Sequence, residues 1–156
     1  MSSIKSPTAP ARVLQYKPEA EKWSRQTGVP VALILAVIDQ ESDGRAEARR
    51  YEPRYKVSDT HKKAMDAAGV PEEVQKTSYG LMQMMFPVAW GYGARSTAEL
   101  TDPDKAIRYG AAHLGALYKK YNGDIAKTAG AYNGAGPNSR YAKDVLKLYE
   151  KYAKEV

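Results

Sequence analysis

The sequence predicts a mainly α, single-domain protein with at most a small β element. Three observations lead there. Apolar residues recur every three or four positions in several separate stretches. Proline, aspartate, glycine and Asn-Gly stand where such stretches would start and stop. The length of 156 residues, with 43% hydrophobic content, suits one domain around one core. The domain is expected over residues 17–156, preceded by a mobile segment, 1–16, rich in Ser, Pro and Ala and without a periodic apolar face.

A first helix is predicted from about Pro18 to Thr27, carrying Trp23 and ending at Gly28. Pro30, whose missing N–H does no harm at a helix start, opens a second helix that runs to Ser42. Lys62 to Ala68 reads as a short helix stopped by Gly69, and Pro87 to Tyr92 as a turn or short helix. Asp102-Pro103-Asp104 then caps a long helix whose stripe of Ile107, Gly110, Leu114, Leu117 and Tyr121 lasts until Asn122-Gly123. A helix from near Asp124 to Gly134 follows, and Tyr141, Val145, Leu148 and Tyr152 mark a last amphipathic one. Short strands fit only at Tyr55 to Val57 or around Ser78.

Glu41 is the most informative residue. In the second helix Leu33, Val37 and Glu41 share a face, with Ile34, Ile38 and Ser42 beside them. An acid continuing an apolar stripe loses hydration of its charged form, so its pKa is expected to rise toward that of a general acid working near neutrality. Glu41 is therefore expected to be protonated at rest. The plainer alternative is a carboxylate at a fraying helix end, turned to solvent.

Downstream lie Ser78-Tyr79-Gly80-Leu81-Met82-Gln83 and Ala131-Tyr132-Asn133-Gly134-Ala135-Gly136. With Glu41-Ser42 after an apolar helix, and with a helix between the later two motifs, this order resembles the catalytic domain of the soluble lytic transglycosylases, shared with goose-type lysozymes. The resemblance covers roughly Val29 to Tyr152 and implies a lysozyme-like fold. It also implies that Glu41 is the catalytic acid/base, that Ser42 and Gln83 position the sugar, and that Tyr132 and Asn133 close over the site. Ser78, Tyr79 and Gly80 join the expected substrate-binding set. Gly80 would let a loop approach the sugar closely, and the Tyr132 hydroxyl is expected to bond Glu41 or the substrate's acetamido group.

Most glycosidases use two carboxylates, and no obvious second one adjoins Glu41. The resemblance implies a substrate-assisted route on the β-1,4 bond between N-acetylmuramic acid and N-acetylglucosamine. There the N-acetyl group attacks the anomeric carbon, and the same glutamate later deprotonates the 6-hydroxyl to close a 1,6-anhydro ring. Glu52, in a segment between the first two motifs that departs from the compact family pattern, competes for a second carboxylate role and is included among the substrate-binding candidates. Asp59 and Asp66 lie in the same segment. They keep open a lysozyme-type hydrolase, and a non-catalytic wall-binding or tail-structural module is a further alternative.

With no cysteine, disulfides, thiol nucleophiles and cysteine-ligated zinc are excluded. His61 and His113 show no metal spacing, so neither metal nor cofactor is expected, and His113 reads as a core-edge residue. No apolar stretch is long enough to span a bilayer. The net charge of +6 and pI near 9.4 favour polyanions. Basic residues are densest from Arg45 to Lys63, which suits an anionic bacterial envelope. A DNA-binding helical protein would also be basic, but zinc-finger and RNA-binding motifs are missing, and no nucleic-acid partner is expected. The expected partner is the peptidoglycan strand, met by a monomer.

Twelve tyrosines against one phenylalanine suit sugar contacts, because a phenol offers an apolar face and a polar rim. Tyr51, Tyr55, Tyr79 and Tyr92 are expected at the cleft, while Tyr109, Tyr118, Tyr121, Tyr141 and Tyr152 recur at helical spacing as core. Residues 1–16 lack the apolar centre of a secretory signal. Action on the wall, in the periplasm or outside the cell, therefore points to a phage or prophage product released by a holin, to a virion-associated protein, or to a chain whose leader has been removed.

Overall fold

The structure, a computed structural model, describes residues 9–156. Its central element is the helix α3, Val31–Ser42, reached through α1, Ala9–Leu14, and α2, Lys17–Thr27. The run Leu33-Ile34-Leu35-Ala36-Val37-Ile38 is fully buried, so α3 is enclosed on all sides and does not lie on a surface. Gly28, at φ 81°, ends α2 in the left-handed conformation that glycine adopts without strain.

Part of the segment expected to be mobile is ordered. Residues 1–8 lie outside the described residues, whereas α1 packs on α3 with Val13 wholly buried. Arg12 Nε donates to the carbonyl of Asp43 at 2.9 Å, beyond the end of α3. A single buried valine and a tie to the backbone are tertiary effects that a six-residue stretch does not announce as periodicity.

A three-stranded antiparallel sheet follows: β1, Arg49–Tyr51; β2, Thr77–Tyr79; and β3, Met84–Met85, in the order β1-β2-β3. The register pairs Arg50 with Ser78 and Ser78 with Met85. A strand around Ser78 agrees with expectation. Tyr55 to Val57 is irregular, because the strand edge is taken by Arg49–Tyr51 instead. Between β1 and β2 lie α4, Asp59–Ala67, and the short α5, Glu72–Gln75; after β3 come α6, Phe86–Gly91, and α7, Thr97–Thr101. A capping box of Ser96 and Glu99 starts α7.

The long helix α8, Pro103–Lys120, begins as predicted with the Asp102 side chain accepting from the Lys105 amide. Then come α9, Ile125–Asn133, capped by Asp124, and α10, Arg140–Ala153, capped by Ser139. Trp23 Nε1 donates to Asp104 Oδ1 at 3.0 Å, tying α2 to α8. The Tyr152 hydroxyl donates to Asp39 Oδ2 at 2.6 Å, tying α10 to α3.

Two cores result. One surrounds α3 and takes in Leu81, Met82, Ile107, Leu114, Val145 and Tyr152. The smaller joins Met65, Tyr79, Met84, Phe86, Leu100 and Tyr109 beside the sheet. The segment 79–84 supplies residues to both.

Candidate active site

Where the two cores meet, a cleft of about 460 Å³ is lined by residues of α3, β1, the turn after it, β2, β3, α6, α8 and α9. Glu41, the penultimate residue of α3, reaches it from the end of an otherwise apolar helix. Burial pushes the Glu41 carboxyl up to about 7, against the opposing pull of a hydrogen bond from Tyr141 and the positive charge of Arg50. Near neutrality its protonated and ionised forms are therefore comparably populated.

The tyrosine that bonds this acid is Tyr141, whose hydroxyl donates to Glu41 Oε2 at 2.8 Å. It was expected in the core, because it continues the stripe of α10. That stripe packs along α3 and brings its first member against the acid. Tyr132 behaves differently from expectation: its hydroxyl donates to the carbonyl of Met82 at 2.6 Å. Tyr132 lines the cleft while clamping α9 to the segment after β2, and burial raises its pKa well above the ordinary value.

The residues expected to hold sugar divide in the same way. Ser42 is buried away from the lining residues; its hydroxyl donates to the carbonyls of Ile38 and Leu81 at 3.0 and 2.8 Å. It fixes the end of α3 against Gly80-Leu81. Gln83 lines the cleft, but its Nε2 donates to the carbonyls of Ala48 and Gly80 at 2.9 and 2.8 Å, and its Oε1 accepts from Ser78 at 3.0 Å. Both amide protons are thus committed within the protein, which leaves a substrate only acceptor capacity on Oε1. These three bonds hold Gln83 at φ 47°, a left-handed conformation unfavourable for a residue with a Cβ.

Gly80 has φ 83°, and a Cβ there would lie 1.9 Å from the carbonyl oxygen of Leu100. The close approach it permits in the folded chain is to the backbone of α7. Tyr79 is 6% exposed and packs edge-on against Phe86, with ring centroids 6.4 Å apart, so it belongs to the smaller core. Ser78 and Asn133 both line the cleft. Asn133 closes α9 ahead of the left-handed cap at Gly134, and the tight turn beyond is possible because Gly130 leaves room: a Cβ there would meet the backbone of Gly136 at 2.2 Å.

Glu52 lines the cleft and forms an ion pair with Arg50, Nε to Oε1 at 2.8 Å. Asp66 lies elsewhere, paired with Lys62 and accepting from Gln75, and neither it nor Asp59 reaches the cleft. Of the four tyrosines expected as sugar contacts only Tyr55 is in the lining; Tyr51 stands 52% exposed on β1.

His113, expected at the core edge, is in the lining as well. Its ring lies 5.4 Å from that of Tyr92 and 5.5 Å from that of Tyr132, and its Nδ1 is 3.0 Å from the Tyr92 hydroxyl. Burial lowers its pKa below the ordinary histidine value, which favours the neutral imidazole. Among the described residues no three His, Asp or Glu side chains converge as a metal site. No described helix is long and apolar enough to cross a membrane.

A carboxyl whose pKa burial pushes up to about 7, in a cleft with one fixed donor, can give a proton to a bridging oxygen and later accept one. A family model described as the transglycosylase SLT domain matches residues 19–153. Among solved structures the chain is similar to an inactive mutant of the lytic transglycosylase Slt from Pseudomonas aeruginosa. The identity is 21% and the TM-score 0.64, over 91% of this chain and 24% of that one. It is also similar to the 70-kDa soluble lytic transglycosylase in complex with bulgecin A, at 20% identity and a TM-score of 0.67, over 95% of this chain and 26% of that one. At such identities the likeness shows a shared fold, and the chain spans about a quarter of each of those proteins. No curated protein matches the sequence.

Proposed function

The chain belongs to the transglycosylase SLT domain family, and from that premise we propose that it cleaves the β-1,4 bond between N-acetylmuramic acid and N-acetylglucosamine in peptidoglycan, leaving a 1,6-anhydromuramic end. The observation that carries this reading is Glu41: a partly buried carboxyl in the cleft, pushed up to about 7 and held by Tyr141.

In its acid form Glu41 protonates the glycosidic oxygen as the bond to the muramic anomeric carbon breaks. The substrate's own N-acetyl oxygen bonds to that carbon, in the role a second carboxylate has in most glycosidases. Glu41, now ionised, takes the proton of the muramic 6-hydroxyl, whose oxygen displaces the acetamido oxygen and closes the anhydro ring. One carboxyl serves both steps, and a pKa near the working pH suits it to both. In this reading Asn133, in the cleft lining, meets the sugar, Ser78 offers it only an acceptor because its hydroxyl donates to Gln83, and Tyr141 orients the acid.

The presence of Glu52 in the same cleft favours a second reading, hydrolysis with a water held by that carboxylate, although Arg50 already engages it. Mass analysis of muropeptides from digested sacculi separates the two. Products ending in anhydromuramic acid, one water lighter, support the proposal, whereas reducing ends support the hydrolase. A wall-binding module would release neither and would be indifferent to Glu41→Gln.

A further inference from the structure

One wall of the cleft comes from the segment between β1 and α4. Its turn is well fixed. The Tyr55 amide donates to the Glu52 carbonyl at 3.0 Å, the Glu52 amide to the Lys76 carbonyl at 2.8 Å, and Lys76 Nζ to the Pro53 carbonyl at 3.4 Å. This turn brings Arg54 and Tyr55 to the cleft that holds Glu41, alongside Arg50 and Glu52.

The charge on this wall is unbalanced. Glu52 is engaged by Arg50 at 2.8 Å, while Arg54 forms no ion pair among the described residues. Other lining residues, Met84, Met85 and Val88, are apolar, and a low-dielectric wall strengthens the field of a nearby charge. A guanidinium presents a rigid fork of donors that fits a carboxylate in two parallel bonds.

We infer that Arg54, with Tyr55 beside it, reads a carboxylate on the muramic-acid side of the strand, so that the cleft selects anionic glycan over neutral glycan. This rests on the proposed peptidoglycan reading and adds a substrate preference to it. The carboxylate has two sources: the lactyl group of a strand without stem peptides, and the peptide itself on a strand that carries them. The pairing of Arg50 with Glu52 leaves Arg54 as the reader.

The test compares four substrates: stem-free and stem-bearing strands, each as the free acid and after carbodiimide coupling to methylamine. In the arm that holds the recognised carboxylate, the wild-type chain should show kcat/KM about tenfold or more higher for the acid than for the methylamide, the scale of one charge-assisted bond. Arg54→Ala should bring that ratio close to one, and Arg54→Lys, which keeps the charge and loses the fork, should leave it intermediate. A ratio near one for the wild type in both arms, or a wild-type ratio retained by Arg54→Ala, overturns the inference while leaving the reaction standing. No cleavage of any of the four by the wild type removes the proposed reaction itself.

Discussion

Tyr141 and Glu41, one hundred positions apart in the chain, share a 2.8 Å hydrogen bond from the phenol to Oε2 of the acid. The contact opposes the dominant effect at the site. Burial disfavours the charged carboxylate, and the tyrosine and Arg50 partly restore it, which leaves the group near the middle of its titration at neutral pH. An acid without these partners would be held protonated and would make a poor base in the second half of the proposed reaction.

Glu41→Gln should reduce release of muropeptides by at least about a hundredfold, the lower end of what positioned acid–base groups contribute. Turbidity loss of purified sacculi measures it, with circular dichroism confirming the fold. Near-wild-type lysis would remove Glu41 from the chemistry.

The same substitution should change stability in a pH-dependent way. The folded-state pKa of Glu41, about 7, lies above the ordinary 4.5, so the folded form binds the proton more tightly. The stability linked to that proton is fully present below pH 4.5 and is lost as pH rises through 7. Glutamine stays neutral throughout. The melting temperature of Glu41→Gln should therefore match the wild type near pH 4.5 and exceed it at pH 8, at about 2–4 °C per kcal/mol for a chain of this size. A difference that shrinks with rising pH would contradict the burial argument.

Tyr141→Phe removes a donor that favours the ionised acid. The Glu41 pKa should rise, moving the alkaline limb of the pH–rate profile up by roughly one unit, the scale of one hydrogen bond to a charged group. Turnover at the plateau should fall about tenfold through lost orientation. An unmoved limb would mean that the bond does not form in the working enzyme.

Tyr132→Phe should act through the backbone of Met82. Losing that bond strands a carbonyl and should cost about 1–3 kcal/mol in urea unfolding, with the alkaline limb staying in place. A limb shift as large as that of Tyr141→Phe would instead make Tyr132 the partner of the acid.

Gly80→Ala should be severely destabilising, by about 3 kcal/mol or more, because the added methyl meets the Leu100 carbonyl at 1.9 Å in a left-handed conformation. The melting temperature reports it. A small effect would show that α7 yields easily.

The position of Glu41 in the cleft was legible in the sequence because helical periodicity assigns a face to each residue, and Glu41 continues the apolar face of α3. The same rule gave the helices around Ile107 and Val145, while Gly28 marked the end of the helix with Trp23, and a short strand was expected around Ser78. Periodicity also placed Tyr141 in the core, and it does pack there, partly buried; a stripe says which way a side chain points, but not that its hydroxyl meets Glu41.

The hydrogen-bond partners of Glu41 and of the motif residues were decided only by tertiary structure. Ser42 and Gln83 have the hydrogen-bonding groups to hold a sugar, yet the folded chain uses them first, since buried carbonyls of Leu81, Ala48 and Gly80 need donors. His113 entered the cleft because Tyr92 and Tyr132, far from each other in sequence, close on it. Local spacing determines faces, caps and stops, because those depend on neighbours within a turn or two. Which faces meet depends on how α3, α8, α9 and α10 pack, and that is decided by burial summed over the whole chain.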